Sequence, residues 1–190
     1  DVVVGAPNTS VGGTVYVYYG SITGIGTVPN VTLDCGRAGS NFGLGVDGAG
    51  DVNGDGFEDL IVGASAWDNN VATPVEGAVF VYHGSATGIN TTPTLILETN
   101  TANSYMGSSV AGLGDINGDG YSDIVAGGFL AAYPHSGEGA AWIFLGSATG
   151  LNPAFRHRLE RNFGSAQFSY AVAGAGDVNG DGYNDVVIGA

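Results

Sequence analysis

The sequence predicts an all-β fold built from repeated four-stranded units, and three observations predict it. A nine-residue acidic phrase occurs three times, as DVNGDGFED at 51–59, DINGDGYSD at 115–123 and DVNGDGYND at 177–185. A turn phrase recurs in step with it, GSITGI from Gly20, GSATGI from Gly84 and GSATGL from Gly146. Between the phrases lie short β-branched or aromatic runs bounded by glycine, with no apolar stripe of helical period.

The spacings define the unit. Thirteen residues separate Gly20 from Leu33, Gly84 from Leu97 and Gly146 from Leu159, and eighteen separate those leucines from Asp51, Asp115 and Asp177. The stretch from each acidic phrase to the next Gly-Ser varies instead, 19 residues from Asp1 to Gly20, 25 from Asp59 to Gly84 and 23 from Asp123 to Gly146. All length variation therefore falls in one connection, around residues 7–12, 65–76 and 129–138.

Each strand of the unit has its own reason. The first (FGLGVDGAG, MGSSVAGLG, FSYAVAGAG) is thin and glycine-rich, which suits a crowded axis where backbones approach closely. The second (DVVVGA, DLIVGA, DIVAGG, DVVIGA) and third (GTVYVYYG, GAVFVYHG, GAAWIFLG) are runs of strand length with high β-propensity. The fourth carries the leucine-acid pair Leu33-Asp34, Leu97-Glu98 or Leu159-Glu160. Four-stranded units repeated at this period predict β-propeller blades of antiparallel strands. The whole chain, 1–190, reads as one propeller segment with an incomplete ring: a partial blade at 1–40, blades at 41–104 and 105–167, and a partial blade at 168–190. Further blades are expected either in a longer chain or in copies joined end to end by strand addition. The chain opens at Asp1 in mid-pattern, so a processed or trimmed product is expected.

Composition narrows the partners. Eighteen acids face four arginines and no lysine, for a formal charge of −14. Such a surface repels nucleic acid and anionic membrane, and no apolar run is long enough to span a bilayer. Cys35 is the single cysteine, so no disulfide forms within the chain.

With so few cations, the clustered carboxylates need another counter-charge. In Asp51-x-Asn53-x-Asp55 alternate side chains converge if the backbone curls, and Gly54 and Gly56 permit the curl. Phe57 adds its carbonyl and Asp59 closes the set; Asp115, Asn117, Asp119, Tyr121 and Asp123 repeat it, as do Asp177, Asn179, Asp181, Tyr183 and Asp185. Oxygen donors alone at positions 1, 3, 5, 7 and 9 suit Ca²⁺, whereas Zn²⁺ favours His and Cys and Mg²⁺ keeps more water. Two carboxylates about 5 Å apart repel by about 3 kcal/mol at an effective dielectric of 20, so an unneutralised loop is costly. Three Ca²⁺ ions would take the formal charge from −14 to −8. The bland alternative is three solvated Asx turns. Asp1 reads as the closing acid of a fourth loop and holds no metal alone.

Taken together, Phe42-Gly43, GDVNGDGFEDLIVGAS and GAVFVYHGS resemble the FG-GAP repeat, which builds the β-propeller of integrin α chains and many bacterial surface proteins. The chain departs from it at Met106-Gly107 and Phe168-Ser169, and only Gly5-Ala6-Pro7 keeps an intact Gly-Ala-Pro. The resemblance implies an extracellular or cell-surface, calcium-stabilised module without catalysis, serving adhesion or structural assembly. The alternative is an accessory or catalytic propeller module of a secreted enzyme that degrades polysaccharide or lipid.

Alternation of strand direction puts the acidic loops and the Gly-Ser turns on one face and the variable connections on the other. Trp67, Asp68, Asn69 and Asn70, with Phe129, Tyr133 and His135, are candidates there for a protein or glycan ligand, against the alternative that each aromatic covers its own blade. His83, His135 and His157 fall in unrelated phases of the repeat, which gives neither a metal cluster nor a triad. No G-x-S-x-G elbow accompanies the recurring serine. Asn8, Asn30 and Asn90 fit the glycosylation sequon.

Overall fold

A computed structural model describes residues 1–68, 75–132 and 135–190. Among the described residues fifteen strands follow one another: β1 (Val2–Ala6), β2 (Thr14–Tyr18), β3 (Gly20–Ser21), β4 (Gly24–Ile25), β5 (Val31–Leu33), β6 (Phe42–Gly50), β7 (Asp59–Ala64), β8 (Ala78–Tyr82), β9 (Leu95–Glu98), β10 (Ser109–Gly114), β11 (Asp123–Gly128), β12 (Ala140–Phe144), β13 (His157–Leu159), β14 (Val172–Gly176) and β15 (Asp185–Ile188). They form two four-stranded meanders, β6-β7-β8-β9 and β10-β11-β12-β13, flanked by β1-β2-β5 and β14-β15; β3 and β4 make a small separate hairpin within the first Gly-Ser turn. Pairing inside each sheet is antiparallel, with Val62 opposite Phe80 in one blade and Ala126 opposite Trp142 in the next. These are propeller blades, as the repeat predicts. Among the described residues no helix is long and apolar enough to cross a membrane.

The middle strands β7, β8, β11 and β12 are buried throughout, so both faces of each complete blade are covered by neighbours. This explains their unbroken apolar runs. Val52, Ile61, Val79, Val81, Leu97 and Met106 pack against Ile124, Ala126, Trp142 and Phe144 to form the core between the second and third sheets. Val15, Leu33, Phe42, Leu60, Val62, Phe80 and Tyr82 form the one before it.

The thin first strands pack as their glycines suggest. A Cβ on Gly112 would lie 2.3 Å from the Gly48 carbonyl oxygen, and one on Gly174 would lie 2.7 Å from that of Gly112. The glycines ending the second strands are equally tight: a Cβ on Gly63 would meet the Gly107 oxygen at 2.0 Å. Where the third copy has Ser169 in place of that second glycine, the residue keeps a φ of 68°. Its hydroxyl is buried, accepting from the Gly128 amide at 3.0 Å and donating to the Ala140 carbonyl at 2.6 Å. Those two bonds offset the strain of a left-handed backbone in a residue with a Cβ.

Gly63→Ala is therefore expected to destabilise the fold by about 3 kcal/mol, because backbone rather than a flexible side chain blocks the new methyl. Gly56→Ala, with open space around it but a φ of 88°, is expected to lose only about 1 kcal/mol. Urea unfolding of the two variants checks the contrast.

Candidate metal loops and the face they share

Each acidic phrase links the first and second strands of a sheet, and each Gly-Ser turn follows the third, on the same face. The ninth residue of the phrase ties these two turns together. The carboxylate of Asp59 accepts the Val52 amide at 3.0 Å through Oδ2 and the Gly84 amide at 2.9 Å through Oδ1. Asp123 does the same with Ile116 at 2.9 Å and Gly146 at 2.8 Å. Asp185 accepts Val178 at 3.0 Å, and Asp1 accepts Gly20 at 2.7 Å. Asp1 thus occupies the closing position that its place in the pattern predicts.

The first residue of each phrase organises the curl. Asp51 accepts the amides of Gly54 at 2.7 Å, Asp55 at 3.1 Å and Gly56 at 2.8 Å. Asp115 and Asp177 repeat those bonds with Gly118, Asp119 and Gly120 and with Gly180, Asp181 and Gly182. Asn53 donates from Nδ2 to Asp55 at 2.9 Å, and Asn117 and Asn179 donate likewise to Asp119 and Asp181. Nδ2 of Asn53 also lies 3.3 Å from Nδ1 of His83.

The two ends of the loop have opposite electrostatics. At Asp51 and Asp115 desolvation works upward, but the donated amides outweigh it and hold the carboxyls below the usual aspartate range. At Asp177 the Gly182 amide leads the same downward shift. Asp59 and Asp123 are 2% and 0% exposed, and burial pushes their carboxyls up despite two amides each.

The donor set is oxygen throughout, with three carboxylates, an amide and the carbonyl of Phe57, Tyr121 or Tyr183 in each nine-residue loop. That chemistry fits a hard divalent ion. Positions 1, 3 and 5 are linked by hydrogen bonds in all three loops, while position 9 faces the strand ends; among the described residues no three acidic, imidazole or thiol groups stand together as a metal cluster. Position 7 carries more than its carbonyl. The ring of Tyr121 lies against Gly54 of the preceding blade, where a Cβ would be 2.7 Å from its edge, and Tyr183 lies against Gly118 at 2.8 Å. The repeated aromatics at 57, 121 and 183 were the visible signal for this contact, but nothing in the sequence says which glycine they cover. At the first junction Phe57 instead lines a cleft of about 420 Å³ with Asp1, Tyr19 and Ile89.

On the opposite face Trp67 covers its own blade. Its ring meets Phe80 edge-on with centroids 5.0 Å apart, Nε1 donates to Glu98 at 2.8 Å, and the Arg37 guanidinium lies 5.2 Å from the ring centroid. Phe129 is half-buried against Tyr170, with centroids 5.2 Å apart. Asp68 is half-buried and His135 exposed, while Asn69, Asn70 and Tyr133 lie outside the described residues. Asn8, Asn30 and Asn90 are exposed, and the side chain of Asn30 accepts the Tyr19 amide.

Fold and loops together define a propeller of FG-GAP-type blades, and comparison with known proteins places it. The sequence profile of the FG-GAP-like repeat matches residues 51–126 and 115–188, and the chain belongs to that family. It is 34% identical to integrin alpha-4 of Xenopus laevis over 200 aligned residues, covering 100% of this chain and 18% of that protein. It is 40% identical to integrin alpha-6 of Homo sapiens over 132 residues, covering 67% of this chain and 11% of that one. Integrin alpha-IIb of Mus musculus is 36% identical over 149 residues, 74% of this chain and 14% of the relative. The chain thus spans less than a fifth of these relatives and is an integrin-alpha-like propeller segment.

Asp59→Ala leaves the amides of Val52 and Gly84 without their acceptor in a buried setting. It is expected to cost about 2 kcal/mol even with EDTA present, measured by denaturant unfolding. An equal stability for wild type and variant in EDTA would contradict that bracing role.

Proposed function

We propose that this chain is a calcium-stabilised, extracellular or cell-surface propeller segment that serves adhesion or structural assembly and carries no catalysis of its own. The observation behind the reading is the threefold recurrence of one oxygen-only donor set, each copy curled about its first aspartate at the same end of its blade. Asp51, Asn53, Asp55, Asp59 and the Phe57 carbonyl would hold one ion, and the equivalent residues of the other two phrases would hold two more. Bound calcium would supply divalent charge to loops whose own acids repel, and so lock the hairpin between the first and second strands.

Similarity to integrin alpha chains supports adhesion over the enzyme-module alternative. Partners in this reading are further propeller blades, from a longer polypeptide or from other copies, and a protein or glycan ligand on the variable-connection face. Trp67 is already committed to Phe80, Glu98 and Arg37, so such a ligand would rely on other residues of that face. The acidic surface argues against nucleic acid as a partner.

Extracellular calcium modules bind at about 10⁻⁴–10⁻³ M, so saturating calcium is expected to raise Tm and EDTA to lower it. Elemental analysis after dialysis against millimolar calcium should find three ions per chain, and Asp51→Ala, Asp115→Ala and Asp177→Ala should each remove one. A melt indifferent to calcium, with no metal retained, would refute the reading.

A further inference from the structure

We propose that the acidic loops at 51–59 and 115–123 are two-blade sites: the aromatic at position 7 of the following blade, with the backbone amide of its position 8, positions the metal-binding loop of the blade before it. The proposal rests on the calcium reading above. It arises from contacts that recur at both junctions between consecutive described loops. The Ser122 amide donates to the Asp51 carbonyl at 3.0 Å, and the Asn184 amide donates to the Asp115 carbonyl at 3.2 Å. Tyr121 covers Gly54 and Tyr183 covers Gly118. The Ser122 side chain stands over Gly50 and that of Asn184 over Gly114, in each case the residue before position 1. A further amide, Ser147, reaches the Val52 carbonyl at 3.1 Å.

These contacts fall where they can set the loop's shape. Position 1 is pinned through its own carbonyl, and position 4 is the turn apex, at φ 74° in Gly54 and 79° in Gly118. Fixing both ends of that arc fixes the curl that gathers positions 1, 3 and 5. Ordering the loop in advance removes entropy that metal binding would otherwise cost. The same contacts explain glycine at position 4 twice over, once by backbone angle and once by the ring seated on it. Loop residues of adjacent blades then form one connected row.

Tyr121 is a positioning residue in this scheme. Tyr121→Ala keeps the carbonyl that its own loop would use, so the substitution separates the two roles. A calorimetric calcium titration of wild type, Tyr121→Ala, Asp51→Ala and the double variant tests the assignment as a thermodynamic cycle. Tyr121→Ala is expected to weaken by about fivefold the site that Asp51→Ala abolishes, and to leave the sites remaining in the Asp51→Ala background unchanged. Its Tm should fall more in saturating calcium than in EDTA. If the loss persists in the Asp51→Ala background, or no site weakens, or Tm falls equally in calcium and EDTA, the ring serves only its own loop or packing and the proposal is overturned. Should the alanine variant fail to fold, Tyr121→Leu enters the same cycle with the same expected and opposing outcomes. Wild type that binds no calcium would overturn the calcium reading and this proposal together, whereas binding without cross-blade coupling would overturn this one alone.

Discussion

The closing aspartate of each acidic phrase is the contact on which the blade depends. In the two four-stranded sheets its two oxygens take one amide from the start of the loop and one from the turn after the third strand, so three strands of a sheet end at one carboxylate. Charge-assisted bonds of this kind are among the stronger ones available to a backbone, and burial makes the acceptor hard to replace. A blade with little core of its own needs such a tie where its strands end. The same residue is also a candidate metal ligand, so bracing and binding share one side chain.

Packing between blades obeys a different constraint. Glycines stand where the first strand of one blade crosses the second strand of its neighbour, and a methyl group there would run into a carbonyl oxygen. Ser169 shows what is tolerated: a side chain enters this position only with its hydroxyl bonded on both sides. Close approach at the axis leaves room further out for Trp142, Phe144 and Phe80, which fill the wider gap between blades. Small residues inside and large ones outside follow from the wedge shape of radially arranged sheets.

The variable-connection face is built on opposite terms. Its connections differ in length but return to the next blade through one repeated bond, the amides of Phe42, Met106 and Phe168 donating to the carbonyls of Gly12, Glu76 and Glu138, while Trp67 and Phe129 settle onto neighbouring aromatics. One face therefore repeats in length as well as in bonding, while the other varies in length over a repeated base. A scaffold that holds one end constant while the other changes length is suited to carrying recognition on the changing end.

Much of this was legible in the sequence because it is periodic. Strand identity, antiparallel order, the sharing of one face by acidic loops and Gly-Ser turns, and the closing role of Asp1 all follow from spacing alone, since a repeat that recurs in step must recur in structure. Local hydrogen bonds such as Asp51 to Gly54 were also within reach, because an Asx turn is a property of a few adjacent residues. Partners across blades were not. That Tyr121 covers Gly54, that Ser122 bonds to Asp51, and that Trp67 is spent on Phe80 and Glu98 depend on how sheets stack. Stacking brings together residues far apart in the chain, and no short-range pattern encodes which of several equivalent aromatics meets which glycine; the tertiary packing alone decided it.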